Sequence, residues 1–311
     1  ASVSQSIPVV TAVHFLLGVG AAASFAPLIA DVSQWFMRHR GIAVAITASG
    51  NYLSGAIWPP IIAWVMTDHG WRGAYLMLAV AALVVVLPGA QLLRRQIDSA
   101  STERATQAAA AKATAAQLSP RVLQALLAVA GIGCCVAMSM PQVHIVALCI
   151  DRGFGAQAGA EMLSVMLVGG VASRLFFGAL SDRIGGLMVL FISATLQMLA
   201  LCLFLIQGGM TSLYLVSLIF GLSQGGIVPS YAIIVREYMP PREAGRRVGI
   251  VIGSTILGMA LGGWLSGWLY DLTGSYDAAI WNGIAFNLVN IVIVLSILTR
   301  IGGAPSRRAP A

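Results

Sequence analysis

Residues 178–186 read Gly-Ala-Leu-Ser-Asp-Arg-Ile-Gly-Gly and join two long apolar segments, at about 158–180 and 187–206. A run of roughly 20 apolar residues is long enough to cross a lipid bilayer as an α-helix. The residues between the two runs include an acid, a base and a closing pair of glycines, which suit a short polar turn at a membrane surface. We therefore predict a tight turn between two membrane helices at this point.

The rest of the chain repeats this pattern of long apolar runs and short polar turns. Of its 311 residues, 58% are hydrophobic and 9% are charged, with a mean hydropathy of +0.87, whereas about a quarter of a soluble domain is charged. This composition excludes a water-soluble fold and predicts an all-α membrane protein with about nine transmembrane helices. The nine segments lie at about 7–30, 41–66, 74–93, 122–150, 158–180, 187–206, 213–235, 248–270 and 278–298.

Positive charge is distributed unevenly between the two sides of the predicted membrane. If the segments cross it alternately, fifteen of the 18 Lys and Arg residues fall in one set of connections and the C-terminal tail, and only Arg72 and Arg152 fall in the other. Because basic residues accumulate on the cytosolic side, we expect an integral membrane protein of a bacterial inner membrane with its C terminus in the cytosol. The scattered cations argue against a nucleic-acid partner.

An internal repeat relates the first three segments to the last three. An acidic residue, Asp31 or Glu237, precedes a basic pair, a glycine-spaced helix and a turn that begins at Gly70 or Gly274, with offsets of 206 and 204 residues. Such a repeat is typical of transporters built from two related halves. The second half then has six helices and the first half shows three, so we expect roughly 85–100 further residues before the first one.

The repeat also sets the predicted domain boundaries. Residues 1–93 form the three helices of the first half, and residues 121–300 form the six helices of the second half. Between them, residues 94–120 are rich in Ala, Gln, Ser and Thr, which predicts a cytosolic linker. Residues 301–311 are then a cytosolic tail.

Two six-helix halves joined by a basic loop resemble the major facilitator superfamily, and residues 178–186 resemble the loop signature of that family. The resemblance implies a major facilitator fold with the first half incomplete, and a latch of charged side chains on the cytosolic face. Asp182 and Arg183 would form this latch with Glu237, and the repeat places Asp31 in the equivalent role. The basic residues that usually follow the last glycine of the signature are absent here.

Finer features resemble the monocarboxylate and oxalate/formate branch of that superfamily. Residues 35–43 read Trp-Phe-Met-Arg-His-Arg-Gly-Ile-Ala and are followed by Ser-Gly at 49–50 and Pro-Pro at 59–60, which is similar to the branch's signature between its fourth and fifth helices. The run Arg-Leu-x-x-Gly at 174–178 resembles its membrane-embedded Arg motif. The resemblance implies a secondary active transporter that moves a small organic anion, a monocarboxylate, by alternating access. It implies no cofactor, and a proton is the candidate co-transported ion.

Arg174 is the first candidate for binding such an anion. It lies seven residues before Ser181, or roughly 10 Å inside the end of its helix, and an ionisable group at that depth is a functional candidate by default. Its guanidinium fork matches a carboxylate. The alternatives are an arginine that snorkels to the surface or clamps helix ends with Asp182. In the branch that this chain resembles, an acidic residue that takes part in proton coupling stands at the position of Gly170. Proton coupling through that residue therefore does not carry over to this chain.

Polar side chains inside helices that Gly or Pro interrupts are further candidates for binding substrate, with hydrogen bonding between helices as the alternative. Gln142 and His144 follow Pro141, where a loosened helix can expose its backbone to a cavity. For His144 a structural hydrogen bond is the competing interpretation. The remaining candidates are Asn51, Tyr52, Gln224 and Tyr231.

Small residues are expected to serve packing. Glycines of the second and eighth segments should permit close helix contacts, and the four cysteines, which lie inside apolar runs, should be free and buried. The glycines concerned are Gly50, Gly55, Gly253, Gly258, Gly262, Gly263 and Gly267.

Other classes of function are less compatible with the sequence. It has no Gly-x-Ser-x-Gly, His-Glu-x-x-His or Gly-x-x-x-x-Gly-Lys-Ser/Thr pattern, and its histidines are far apart. We therefore expect neither an enzyme nor a metal site, and only a small organic anion and membrane lipid as partners. A drug or sugar carrier of the same superfamily remains the alternative, because a fold does not decide its substrate, and an intramembrane enzyme is a more distant one.

Overall fold

The computed structural model of the chain describes residues 2–36, 38–92, 107, 118–206 and 208–302. Their regular secondary structure is entirely helical, with nine α-helices and one 3-10 turn, Pro241–Glu243. The helices are α1 Ile7–Trp35, α2 Arg40–Leu92, α3 Pro120–Asp151, α4 Gly155–Ile184, α5 Gly186–Phe204, α6 Met210–Gln224, α7 Ile227–Tyr238, α8 Ala244–Thr273 and α9 Asp277–Gly302.

Two of the predicted segments are joined in α2, and one is divided between α6 and α7. Gly70 has φ 62° and ψ −175°, a non-helical conformation that separates the two predicted segments within α2. Residues Met210–Tyr238 form a single membrane span that contains both α6 and α7. Gly225 and Gly226 between these helices keep near-helical dihedral angles, so the span continues through a local interruption of helix hydrogen bonding.

Eight helices within the described residues are long and apolar enough to cross a membrane. They correspond to eight of the nine predicted segments. The segment predicted at 41–66 is the N-terminal part of α2 and is not among the eight. Most of the predicted linker at 94–120 and of the predicted tail at 301–311 lies outside the described residues, so both stay predictions.

The helices run alternately between two ends of a bundle. We call the end that carries Arg38, Arg183 and Arg246 the basic end, and the end that carries Arg72 and Arg152 the opposite end. Contacts between helix ends fix this arrangement. At the basic end the start of α2 meets the end of α4, and the start of α8 meets the start of α3. At the opposite end the ends of α3 and α8 meet.

Most of the core lies among α3 to α9, with smaller contributions from α1 and α2. About 61% of the most apolar part of α3 is buried, and 78% of that part of the α6–α7 span, against 7% for α1 and 6% for Trp64–Gln91. The largest fully buried side chains include Phe204, Phe220 and Tyr231. Since lipid is as apolar as these side chains, helix association in a membrane depends on close packing and interhelical hydrogen bonds rather than on a hydrophobic driving force.

Glycines bring α3 and α8 together, as expected for two of those named above. A Cβ atom at Gly258 would lie 2.7 Å from the carbonyl oxygen of Ile132, and one at Gly262 would overlap Ser139 Oγ. By contrast, a Cβ atom at Gly50 or Gly253 would meet nothing within 4 Å. The packing prediction therefore fails for these last two among the described residues, because one helix has several faces and spacing alone does not say which face is covered.

The cysteines also divide. Cys134, Cys135 and Cys149 are free and buried, as predicted, whereas Cys202 is free but exposed. Cys202 lies on the outward face of α5, where an apolar sequence is compatible with lipid as well as with a protein core. The prediction of burial was wrong for this residue.

Candidate functional site

The site forms where α4 meets α2. Arg174 is only 4% exposed, and its Nη1 atom donates a hydrogen bond to the carbonyl oxygen of Ala48. Its Cζ atom lies 3.7 Å from the ring centroid of Tyr52, one turn further along α2. A cation over an aromatic ring gains about 0.5–1 kcal/mol when exposed and about 2 kcal/mol or more when desolvated. The two contacts hold the guanidinium against α2 within the bundle.

Gly170 makes room for this arrangement. A Cβ atom at that position would lie 2.6 Å from Tyr52 Cε2, which is closer than van der Waals contact allows. The tyrosine ring therefore occupies the space that a side chain on α4 would fill. This explains in steric terms why a glycine stands one turn before Arg174, where the resembling branch has an acid.

Arg174 retains unused hydrogen-bonding capacity. Its Nε atom is buried and has no hydrogen-bond partner among the described residues, and none of the ion pairs found in that part of the chain includes its guanidinium. An unpaired buried donor costs about 1–3 kcal/mol, and more when the group is charged. The site thus holds a cation whose natural partner, an anion, is not supplied by the described protein.

A cavity of about 640 Å³ lies next to this arginine. Six helices contribute to it: α1, α2, α3, α4, α7 and α8. Its lining is largely apolar, with a few polar side chains, which is the usual composition of a small-molecule site. The polar or charged residues that line it are Asn51, Tyr52, Gln142, Arg174 and Thr255.

Two amides extend the polar part of the site. Gln142 Nε2 donates to Gln224 Oε1 at 2.8 Å and approaches Tyr52 Oη at 3.5 Å. Gln224 is the last residue of α6 and is 1% exposed. The hydrogen bonds therefore link α2, α3 and α6 around the cavity.

The interruption between α6 and α7 lies directly against Arg174. The Gly225 N–H donates to Ser173 Oγ at 3.2 Å, and Ser173 Oγ donates to the carbonyl oxygen of Leu222 at 2.6 Å. A Cβ atom at Gly225 would lie 2.5 Å from the backbone nitrogen of Arg174. The close approach sets the position of the arginine relative to Gln224. Sequence reasoning missed Ser173, whose only signal was a small hydroxyl beside an arginine.

Two of the predicted binding residues lie elsewhere. His144 Nε2 is 2.9 Å from the carbonyl oxygen of Gly263 on α8, and its ring contacts that of Tyr276 at 5.6 Å between centroids. Tyr231 is fully buried and donates to Asn290 Oδ1 at 3.0 Å. Neither side chain lines the cavity. The structure thus places Arg174, Asn51, Tyr52 and Gln142 on the cavity, with Gln224 hydrogen-bonded to Gln142 behind it, and places the other two in contacts between second-half helices.

The predicted latch residues lie at the basic end. Asp182 accepts hydrogen bonds from the backbone N–H groups of Gly41 at 2.6 Å and Ile42 at 3.1 Å. These are orphan donors at the start of α2, where the helix dipole also favours an anion. A Cβ atom at Gly41 would overlap Ser181 Oγ and the Gly178 carbonyl oxygen, so the two helix ends are in direct contact.

The other latch candidates make different contacts. Arg183 is exposed, and Asp31 Oδ2 accepts from Trp35 Nε1 of its own helix at 3.2 Å. Arg40 interacts electrostatically with Glu237 and with Asp182, and its Nε donates to the Ser33 carbonyl oxygen at 3.1 Å. Arg40 was not predicted as part of the latch. The sequence feature that could have identified Arg40 is a basic residue directly before the helix predicted at 41–66.

The match to known proteins agrees with this architecture. The family model for the Major Facilitator Superfamily matches residues 1–171 and 145–311, which together span the chain. The chain belongs to the Major Facilitator Superfamily. It is an integral membrane protein with the fold of that superfamily, as predicted, and its relatives are transport proteins of small molecules.

Individual members of the superfamily are similar to this chain in sequence. It is 27% identical over 287 residues to Monocarboxylate transporter 13 of Rattus norvegicus, covering 92% of this chain and 66% of that protein. It is 23% identical over 290 residues to the agnestins efflux protein AgnL12 of Paecilomyces divaricatus, covering 91% and 64%. This superfamily member therefore spans about two thirds of the length of these relatives. Both relatives are eukaryotic and do not support the expected bacterial membrane.

A solved structure has the same fold. The crystal structure of the E. coli fucose:proton symporter FucP superposes with a TM-score of 0.67 at 11% identity, covering 86% of this chain and 72% of that one. No group of three or more His, Cys, Asp or Glu side chains that could hold a metal ion occurs in the described part of this superfamily member.

Proposed function

We propose that the protein is a secondary active transporter that moves a small organic anion, a monocarboxylate, with Arg174 as the group that binds the carboxylate. The observation that carries the proposal is the buried guanidinium beside a 640 Å³ cavity with an unpaired Nε and no ion pair in the described residues. The similarity to Monocarboxylate transporter 13 supports the same substrate class.

The orientation of the guanidinium favours a carboxylate over other anions. Because Nη1 is used by the Ala48 carbonyl oxygen, the edge formed by Nε and Nη2 is the one left for a ligand. Two parallel N–H groups on one edge match the two oxygens of a carboxylate. Pairing would also remove the cost of leaving a charged donor without a partner in a site of low dielectric constant.

The cavity holds one positive charge, which favours a substrate with one carboxylate. Arg236 and Arg247 are also buried, but they lie near the basic end and do not line the cavity. Arg247 is paired with Glu243 and donates to Gln124 Oε1 at 2.6 Å. A second carboxylate on the substrate would find no cation among the described lining residues.

Alternating access would operate by rocking the first-half helices against the second half around this cavity. The contact between the start of α2 and the end of α4 is the candidate closure at the basic end, because Asp182 joins the two halves there. We place this end in the cytosol on the basis of the asymmetric cations. The described lining contains no Asp, Glu or His, so a coupling proton would have to be carried outside it.

Transport assays with Arg174 variants test the proposal. The protein, expressed from its complete gene, is reconstituted in lipid vesicles, and uptake of a panel of labelled monocarboxylates is measured with and without a proton gradient. Arg174→Lys keeps the charge and loses the planar fork. Loss of a charge-assisted hydrogen bond worth about 1.5–3 kcal/mol predicts that uptake falls about 10- to 100-fold.

Arg72→Lys is the matched control. Arg72 also has its Cζ over an aromatic ring, 4.2 Å from the centroid of Trp71, but it lies at the opposite end and away from the cavity. We expect its uptake to equal that of the wild type. Normal uptake by both Arg174→Lys and Arg174→Gln would overturn the proposal and leave a neutral substrate, as for the sugar symporter that shares the fold, as the better interpretation.

A further inference from the structure

One polar group beside the site that the proposed function leaves unexplained is the buried amide of Gln224. It is 1% exposed, and its hydrogen bond with Gln142 uses only its oxygen. Its Nε2 atom has no partner among the described residues. When two side-chain amides share one hydrogen bond, one polar atom of each amide takes no part in that bond, whichever way the amides are turned.

An amide at this position is unfavourable for folding. Leaving one buried polar atom unpaired destabilises the folded protein, whereas an apolar side chain of the same size would not do so in this way. Its neighbour Gln142 lines the cavity and is half-buried. Gln224 itself is not among the lining residues, so the amide pair meets the cavity through Gln142, and a ligand that enters the cavity is the partner available to the pair.

The position of the amides relative to Arg174 limits what they can contact. The ring of Tyr52 covers the guanidinium at 3.7 Å, and its hydroxyl oxygen at the far end of that ring lies 3.5 Å from Gln142 Nε2. Tyr52 therefore meets the guanidinium with its ring face and the amide pair with its hydroxyl. A substrate that contacts both groups has to extend along this ring, which favours an oxygen away from the carboxylate over one on the adjacent carbon.

We propose that Gln142 and Gln224 form a second recognition point that hydrogen-bonds an uncharged oxygen group at the end of the substrate remote from its carboxylate. The inference rests on the proposed function, because it takes Arg174 as the carboxylate site. A hydroxyl group fits best, since it both donates and accepts and therefore satisfies either atom of an amide. The substrate class is then a monocarboxylate with a hydroxyl group several carbons away.

Three five-carbon acids test this assignment. Uptake of labelled 5-hydroxypentanoate is measured in vesicles that contain the protein expressed from its complete gene, with unlabelled 5-hydroxypentanoate, 2-hydroxypentanoate or pentanoate as competitor. The wild type should be inhibited by 5-hydroxypentanoate at concentrations about tenfold lower than by the other two, as one hydrogen bond of roughly 1–1.5 kcal/mol predicts. Equal potency of the two hydroxy isomers, or greater potency of 2-hydroxypentanoate, would overturn the assignment.

Variants assign the preference to the amides. Gln224→Leu should reduce the tenfold preference to less than twofold, and Gln142→Leu should do the same. Gln142 is only half-buried, so its replacement is the better tolerated of the two. Gln197→Leu is the matched control, because Gln197 is also buried with an unpaired Oε1 but donates to the Cys134 carbonyl oxygen, away from the cavity. Its preference should equal that of the wild type. Retention of the preference in both Gln142 and Gln224 variants would refute the inference.

The outcome separates this inference from the proposed function. If all three acids compete equally while Arg174→Lys loses uptake, Arg174 binds the carboxylate and the second recognition point does not exist. If labelled 5-hydroxypentanoate is not taken up and Arg174→Lys takes up the labelled monocarboxylates of the panel as well as the wild type does, both proposals fail together.

Discussion

The starts of α2 and α8 are related by the internal repeat, yet they are anchored in different ways. The start of α2 is held by Asp182 of α4, and Gly41 lies in direct contact with Gly178. The start of α8 is held by Arg247, which donates to Gln124 Oε1 and to the Pro120 carbonyl oxygen on α3. The first contact joins the two predicted halves, and the second lies within one of them.

The glycines near the starts of these two helices also differ in whether another helix covers them. A Cβ atom at Gly41 or Gly178 would overlap the neighbouring helix, whereas one at Gly245, Gly249 or Gly253 would meet nothing within 4 Å of the described residues. The three α8 glycines line the cavity instead of a neighbouring helix. Similar small residues therefore do not imply similar packing, because the covered face is decided by which helix lies opposite.

The largest effect should come from filling the occupied face. Gly41→Ala places a methyl group against Ser181 and Gly178, and overpacking of this kind costs about 1–3 kcal/mol. We expect a lower melting temperature in detergent and loss of most uptake. Gly263→Ala is the matched variant on α8, because Gly263 does not line the cavity and an added methyl group would lie 3.6 Å from Val143, an ordinary contact. We expect it to have no measurable effect, and a loss as large as that in Gly41→Ala would break the comparison.

A smaller effect is expected from substituting the polar side chains that hold the starts of α2 and α8. In Asp182→Asn only one oxygen can accept from the start of α2, and loss of a cap contact costs about 1 kcal/mol. Because this contact joins the halves, the variant should shift the balance between closed and open states at the basic end about fivefold. The measurement is alkylation, from the basic side, of a cysteine placed at Met259, which lines the cavity.

The matched variant for the polar anchors is Arg247→Gln. Arg247 lies within the second half, so its loss should lower the melting temperature without changing the alkylation rate at position 259. Asp31→Asn should change neither quantity much, since in the part of the chain that the structure describes Asp31 accepts a hydrogen bond from Trp35 of its own helix and from no other helix. An unchanged alkylation rate in Asp182→Asn would exclude a latch at this contact.

The smallest effect on uptake is expected from single-cysteine variants whose labelling reports only on which side of the membrane each end of the bundle lies. With Cys202, the exposed native cysteine, replaced by serine, Arg183→Cys and Gly209→Cys place single reactive thiols at the basic and the opposite end. Both positions are exposed. A maleimide that cannot cross membranes should label them from opposite sides, with Arg183→Cys reached from the cytosol. Labelling of both from one side would overturn the alternating arrangement of the helices.

The helix boundaries were largely accessible from the sequence. The segment predicted at 122–150 is α3, Pro120–Asp151, and that at 187–206 is α5, Gly186–Phe204. Both begin or end at a glycine or proline and have the length that a bilayer requires. The interruption at Gly225 was not predicted, because these glycines keep near-helical dihedral angles and only their hydrogen bonding departs from a helix.

The candidate site was accessible only in part. The depth of Arg174 in its helix identified it without any structure, because a desolvated charge in a membrane is rare. Its contact with Tyr52 joins residues 122 positions apart in sequence. His144 and Tyr231 had equally good polar signals but hydrogen-bond to neighbouring helices. Residue type alone does not tell a polar group that faces a cavity from one that holds two helices together.

The sequence by itself determined the class of the protein, the approximate spans and the superfamily, because bilayer thickness and the need to pair every backbone polar group leave an apolar chain few alternatives. Only the tertiary structure decided that Tyr52 covers Arg174, that Gln142 meets Gln224, and which glycines touch another helix. The reason is geometric. Rotation of a helix about its axis changes every such contact while leaving its length and composition, and hence its membrane insertion, unchanged.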